Sequence, residues 1–328
     1  MGQAIQRSHP SLAGAIGSRV TIRLHDAGGG FRDIVGILQS FSGEVGQLIN
    51  SKGVEHSFSL SDVAIWREIK ALPDRAGTGA PYSHRIMELE NLSDKTWPAD
   101  NLMELGKWRL RISDGFTMRA NSVLPTGAAP YGEPSLEISD AVKKIVEIYR
   151  ENNLTPTFTI PLPIYEDLDR YLDSQGWTVK IGAEYLVDDI STPTEITHPE
   201  FTAVIKDEPS PEWLALQKDF ALERIMRNYP AKYVQITSGE KLIAIGRIAT
   251  SGTWSLATRV YVDANYRGRG VGTFLMRTLA HVARQDGATK IGLQVDAENG
   301  AALALYRSMG FRFHHSYTYR VLESGEAK

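Results

Sequence analysis

The sequence predicts an α/β (α+β) fold in three successive parts, a small all-β unit followed by two αβ units of similar plan. Three observations carry that prediction. Residues 15 to 70 alternate apolar and polar positions in short runs separated by turn residues, the two-residue period of half-buried strands. From His84 onward, strand-like and helix-like patterns follow one another. The order of those patterns also occurs twice, with Ile160 seventeen residues before Trp177 and Val295 sixteen before Phe311.

In the first part, residues 1–75, Val20, Ile22 and Leu24 alternate with polar residues until Gly28-Gly29-Gly30 breaks the chain. Further strands are expected at Ile34–Phe41, Gln47–Asn50, Glu55–Leu60 and Val63–Ile69, with Ser51-Lys52-Gly53 as one of the turns. Five short strands with such turns suggest a small barrel. By pattern it resembles an SH3-like barrel, a module that docks or packs without chemistry of its own. Leu72 to Ser83 has two prolines and two glycines and no apolar period, and reads as a linker.

The second part, residues 84–192, is expected to hold a hairpin at Asp114-Gly115 between Trp108–Ile112 and Phe116–Leu124. A helix follows at Ile138–Asn152, where Ile138, Val142, Ile145, Val146 and Tyr149 keep helical spacing. Then come a strand at Thr155–Ile160, a helix at Tyr165–Ser174 ended by Gly176, and a strand at Trp177–Val187. The third part, residues 195–328, repeats the plan. A strand reaches Val262, a helix runs from Val271 to about Asp286, a strand spans Ile291–Val295, a helix Ala301–Met309, and a last strand ends at Val321.

Composition narrows the function classes. A length of 328 residues fits two or three domains, and 42% apolar with 23% charged residues is ordinary for a soluble globular protein. The net charge of −3 argues against a general nucleic-acid or acidic-membrane binder. With no cysteine there are no disulfides, no thiolate metal ligands and no acyl-cysteine intermediate, and a reducing cytoplasm is the expected location. Met1 to Gln6 has no apolar core of a signal peptide, and no apolar run approaches the ~20 residues of a membrane span.

The strongest motif is Arg267-Gly268-Arg269-Gly270-Val271-Gly272, between a strand ending at Val262 and a helix opening at Val271. The first amides of a helix lack internal partners, its dipole favours negative charge there, and glycines admit a phosphate closely. A dinucleotide fold wants a third glycine where Thr273 stands, and a P-loop wants a lysine that does not follow. A third pattern, R-x-x-G-x-G, matches Arg267, Gly270 and Gly272. Downstream, after one helix and one strand, Asn299, Ala302, Leu305 and Tyr306 fit N-x-x-A-x-x-L-Y, followed by Gly310-Phe311. Two motifs in this order and register resemble the GNAT superfamily of N-acetyltransferases, with motif support over roughly residues 200 to 325. In the second part Thr126-Gly127-Ala128-Ala129-Pro130 replaces the glycine turn, so that part is read as a degenerate copy and residues 195–328 as the catalytic one.

The resemblance implies acetyl-CoA as co-substrate and no metal. Its pyrophosphate would sit on the amides of Gly268, Arg269, Gly270, Val271, Gly272 and Thr273, with charge from Arg267 and Arg269. Val260, Tyr261 and Val262 would pair with pantetheine as an added strand, Asn299 would bond the pantetheine arm, and Ala302 would keep the helix close. Tyr306 would protonate the departing thiolate. The amine must be neutral to attack. A lysine near pKa ~10.4 needs a good base, and an α-amino group near ~7.7–8.0 much less help. Asp263, Asp296 and Glu298 lie near the cleft in sequence but read first as caps or turn residues. His314 and His315 are adjacent on a strand and are expected on opposite faces, so they cannot make one metal site together.

Trp97-Pro98-Ala99 and Phe116 to Pro125 (FTMRANSVLP) further resemble an actinobacterial-type GNAT family whose members carry histone-type acetyltransferase or N-acetylglutamate synthase labels. The first expectation is therefore acetylation of the α-amino group of L-glutamate, in arginine biosynthesis. Two carboxylates then need arginines, and Arg119, Arg247, Arg259 and Arg320 are the candidates by position. The alternatives are a protein or peptide acetyltransferase that docks its substrate on the N-terminal barrel, and a non-catalytic acetyl-CoA sensor.

Overall fold

A computed structural model of the chain describes residues 12–16, 18–26, 28–50, 54–68, 82–190, 197–218 and 220–323. Contacts divide it into two compact units, Met1–Arg75 and Ala76–Lys328.

The first unit holds β1 (Arg19–His25), β2 (Phe31–Phe41), β3 (Val45–Ile49), β4 (Glu55–Ser59) and β5 (Val63–Glu68) in the antiparallel order β4-β3-β2-β1-β5. The alternation read from the sequence is real. Val20, Ile22 and Leu24 point inward with Ile34, Leu38, Leu48 and Phe58. At Gly46 a Cβ would lie 2.2 Å from the Phe58 ring, so only glycine lets that ring close the core. The expected barrel is seen as an open five-stranded sheet. A short 3-10 turn, Leu60–Asp62, carries the chain from β4 at one edge to β5 at the other, and no pairing joins those edges among the described residues.

The second unit is built on one eleven-stranded sheet. Its first half comprises α1 (Tyr82–Thr96), β6 (Asn101–Leu105), β7 (Trp108–Ile112), β8 (Val123–Leu124), α2 (Ile138–Glu151), β9 (Thr157–Leu162), α3 (Glu166–Ser174) and β10 (Thr178–Asp189). Its second half comprises β11 (Thr202–Lys206), α4 (Pro211–Gln217), α5 (Glu223–Arg227), β12 (Lys232–Ser238), β13 (Lys241–Ser251), β14 (Trp254–Val262), α6 (Val271–Gln285), β15 (Lys290–Asp296), α7 (Gly300–Ser308) and β16 (Arg312–Val321). The sheet runs β11-β12-β13-β14-β15-β10-β16-β9-β8-β7-β6. Each half contains a parallel pair with a helical crossover, β8-α2-β9 and β14-α6-β15, the internal repeat expected from the sequence. The terminal strands are exchanged. β10, from the first half, pairs with β15 of the second, while β16, from the second, pairs with β9 of the first. The exchanged strands also pair with each other from Thr178↔Val321 to Val187↔Arg312, so one continuous sheet joins the halves.

The helices follow from their apolar faces. In α2, Ala141, Val142, Ile145 and Tyr149 are buried; in α6, Phe274, Leu275, Leu279 and Val282 are. Three local expectations change. Tyr82 and Ser83, read as linker, open α1, while residues 72–81 lie outside the described residues. The two-residue hairpin is at Gly106-Lys107, joining β6 and β7. Past Asp114-Gly115 the chain does not return as a strand until Val123, so Phe116–Ser122 forms a loop. Asn121 holds that loop, its Oδ1 accepting from Ser113 N at 2.7 Å and its Nδ2 donating to Thr117 O at 2.7 Å. Those bonds satisfy backbone groups that a strand ladder would otherwise have taken.

Candidate active site

The site begins where two strands part. β14 and β15 pair in parallel from Trp254↔Lys290 to Ala257↔Leu293 and no further. On its other side β14 carries a bulge. Thr258 faces Arg247 and Tyr261 faces Ile245, so two residues, Arg259 and Val260, oppose Gly246 alone. Arg259 has φ 53°, a left-handed backbone that is uncommon for a side-chain residue and is held at a cost on the order of 1–3 kcal/mol. The bulge turns the end of β14 away from β15. Asp263 N donates to Ile243 O on β13, so by the alternation of an antiparallel ladder the amide of Val262 faces the opened side. The Val262 carbonyl accepts from Arg267 Nε at 3.2 Å.

Beyond β14 the chain makes one short 3-10 turn, Ala264–Tyr266, and enters the glycine run. Gly268 (φ 72°) and Gly270 (φ 81°) are both left-handed, and a Cβ built on either meets nothing within 4 Å. Gly270 is the N-cap of α6, and Phe274 N to Gly270 O is the first bond back into the helix. The amides of Val271, Gly272 and Thr273 precede that bond and are left for a ligand. At Gly272 a Cβ would lie 2.9 Å from the Cδ2 methyl of Leu305 on α7, so the two helices approach closely there. Arg267 and Arg269 are exposed, Arg269 lying 3.3 Å from Glu200. Open glycines, free helix amides and two arginines fit a pyrophosphate.

Asn299 is the N-cap of α7, its Oδ1 accepting from Ala302 N at 3.1 Å. One end of the side chain expected to meet pantetheine therefore has a structural use. Tyr306, two turns on, is 7% exposed and packs against Phe311 at 5.8 Å. Burial pushes its hydroxyl up to about 12, so it keeps its proton throughout the physiological range.

Between the parted strands and the loop of the first half lies a cleft of about 370 Å³. Its walls include Thr258 and Arg259 from β14, Gln294 and Asp296 from β15, and Trp97 and Arg119 from the first half. Of the four candidate arginines, Arg119 and Arg259 line it. Arg320 instead is clamped by Asp169 and Asp173, and Arg247 is fully buried, donating to the carbonyls of Thr96, Met226 and Tyr229. Asp263 caps the 3-10 turn through Asn265 N, a bond that, with Lys241 nearby, holds its carboxyl below the usual range. Asp296 is the acid among the described lining residues, and it accepts from Glu298 N at 2.9 Å.

Sequence reasoning missed two features here. Gln294 and Tyr317 carry no motif and reach the cleft only through the strand pairing. The reading of His314 and His315 as pointing to opposite faces is also overturned. β16 bulges, Tyr185 facing His315 and Leu186 facing Phe313, and the slip brings the two ring Nδ1 atoms to 2.9 Å. Both rings are buried, and His315 Nε2 lies 2.8 Å from Glu90 Oε1. No cluster of three or more metal-ligating side chains occurs among the described residues, and no helix of them is long and apolar enough to cross a membrane.

A parallel strand pair that parts beside a glycine turn, with that turn capping the crossover helix, defines the frame of a GNAT N-acetyltransferase, an enzyme class that uses acetyl-CoA. The comparisons agree. The chain belongs to the family described as Probable histone acetyltransferase Rv0428c C-terminal, whose profile matches residues 83–320. It is 30% identical over 250 residues to the Uncharacterized N-acetyltransferase YobR of Bacillus subtilis, covering 72% of this chain and 98% of that protein. It is 27% identical over 327 residues to the Probable histone acetyltransferase Rv0428c of Mycobacterium tuberculosis, covering 94% and 96%. A GCN5-related N-acetyltransferase from Kribbella flavida shares the fold, with a TM-score of 0.58 at 15% identity over 76% of this chain and 98% of that one.

Proposed function

We propose that this acetyltransferase acts on the primary amine of a small molecule, with the α-amino group of L-glutamate as the first acceptor to test. That makes it a candidate N-acetylglutamate synthase at the entry to arginine biosynthesis. The observation that carries the small-molecule reading is the cleft itself, about 370 Å³ and walled by both halves of the sheet. That volume lies at the small end of ligand pockets.

Acetyl-CoA supplies the thioester whose acyl carbon the amine attacks. Gly268 to Thr273 bind its pyrophosphate, aided by Arg267 and Arg269, and the turned-out amide of Val262 holds the arm. The Asn299 side-chain nitrogen is left for the same arm, and Ala302 keeps α7 close. In the transfer an N–C bond forms, the C–S bond breaks, and the amine proton leaves to water. The Tyr306 hydroxyl donates to the departing sulfur, and the tyrosinate so formed takes a proton back from water. With Tyr306 near 12 and an ordinary thiol near ~8.5, full transfer is uphill by about 5 kcal/mol if the sulfur is solvated. Desolvation of the thiolate beside the buried Tyr306 hydroxyl narrows that gap.

The test is CoA release from acetyl-CoA across the free amino acids at pH 8. Preference for glutamate supports the reading, and bound acetyl-CoA without turnover of any amino acid removes it. The name of the mycobacterial relative, a probable histone acetyltransferase, favours a second reading, a protein acceptor. Turnover of lysine peptides alone would establish that one.

A further inference from the structure

Among the described residues, the two buried arginines other than Arg247 are paired with acids. Arg111 reaches Asp94, and Arg320 reaches Asp169 and Asp173. Arg119 and Arg247 are different, since neither makes an ion pair with any described residue. They sit on one indole ring, Arg119 6.0 Å and Arg247 5.2 Å from the centroid of Trp97. Arg247 is fully buried and Trp97 is 3% exposed. Arg247 Nε and Nη1 and Trp97 Nε1 have no hydrogen-bond partner among the described residues. Arg119 faces the cleft and donates to Gln294 Oε1. The carboxylates nearby are engaged elsewhere, Asp296 with Glu298 N and Glu90 with His315.

A fully buried charge, Arg247, beside a half-buried one, Arg119, with no counter-ion is costly, and the fold tolerates the pair where a ligand supplies the charge. We propose that Arg119 is the carboxylate seat of the acceptor cleft, steadied by Gln294 and Trp97 with Arg247 behind, so that the acceptors are small amino acids rather than simple amines. The degenerate half, through Phe116–Ser122, thus sets acceptor specificity while the second half holds acetyl-CoA. The field at the seat also orients the substrate. It attracts the carboxylate, repels an ammonium, and so directs the amine toward the parted strands. The proposal rests on the small-amine reading above and names its substrate class.

The experiment uses the full chain with acetyl-CoA and matched acceptors, L-glutamate, L-glutamine and L-alanine, each against its α-carboxamide. The expected preference for acid over amide is about tenfold or more in kcat/KM. Arg119→Gln is expected to bring that ratio to about one, mainly through KM, with acetyl-CoA affinity unchanged. Arg119→Lys keeps the charge without the fork and is expected to fall between. An acid preference that Arg119→Gln leaves intact, or no acid preference in the parent, overturns the seat. Calorimetric titration of the same acids into the CoA complex separates the two proposals. Binding that Arg119→Gln weakens, without turnover, keeps the seat and removes the small-amine acceptor. Neither binding nor turnover removes both.

Discussion

The turns after β14 and after β8 hold the same place in two copies of one pattern, yet they have opposite uses. After β14 the glycines face open space and the first amides of α6 are unclaimed. After β8 the amides of the turn itself are occupied from within, and α2 opens only at Ile138. Ala128 N donates to Glu133 Oε1 at 2.8 Å, Glu133 N to Thr126 O at 2.9 Å, and Gly132 N to Ala128 O at 2.8 Å. A Cβ on Gly127 would meet the Glu133 side chain at 2.8 Å, where one on Gly270 meets nothing. Bonds from Lys107 and from the Ala128 amide hold the Glu133 carboxyl below the usual range, so it stays an anion. The first turn is thus filled by the chain's own carboxylate, where the glycines of the second face open space.

That comparison can be broken in several ways, from the largest effect down. Removing Arg111 tests whether the first half is sealed by polar bonds. Its guanidinium donates to Ser122 O and Oγ, to Thr159 Oγ1 and to Asp94. Arg111→Ala leaves those groups unpaired and is expected to lower stability by about 3–5 kcal/mol in urea unfolding. A loss under about 1 kcal/mol would show that packing alone seals it. Next, Gly270→Glu places a side chain and a negative charge in the open turn. The dissociation constant for acetyl-CoA is expected to rise about 100-fold or more, some 2.7 kcal/mol. Gly127→Glu is expected to change it less than about twofold, and equal effects would sink the distinction between the turns.

Tyr306→Phe sharpens the catalytic side. Turnover is expected to fall about 10- to 100-fold with acetyl-CoA affinity unchanged, and an unaltered rate removes Tyr306 from the chemistry. The smallest effect concerns the helix that rests on the exchanged strand. Burial pushes the Asp169 carboxyl up, but the bonds from Arg320 and Thr318 outweigh it and leave the group below its ordinary value. Its contribution is therefore complete above the unfolded carboxylate value of ~3.9 and is lost as pH falls through the lower folded value. Asp169→Asn is expected to be less stable than the parent at pH 6, and the gap should close as pH falls below the unfolded carboxylate value.

The sequence made local features legible and left the long-range ones hidden. Strand and helix order could be read because Val20, Ile22 and Leu24, or Val142, Ile145 and Tyr149, carry their period in neighbouring positions. The glycine turn could be read because Arg267, Gly270 and Gly272 adjoin or open the helix that Gly270 caps. Nothing local says that β10 and β16 trade places, since each is simply a strand after a helix. The approach of His314 to His315 depends on one extra residue in β16, and a period-two pattern cannot announce a bulge. Arg119 and Arg247 were visible as arginines, but their shared indole is a product of the fold.

The exchange of terminal strands also orders events in time. β9 ends at Leu162, yet the strand that covers its far edge begins only at Arg312. During synthesis the first half exposes an unpaired edge until nearly all of the second half has been made, a hazard for association between chains. Its sheet is completed by a contact between residues distant in sequence, the kind that slows folding. Neither half can mature ahead of the other. The two halves are thereby held together, because loss of either strips a strand from the sheet of the other.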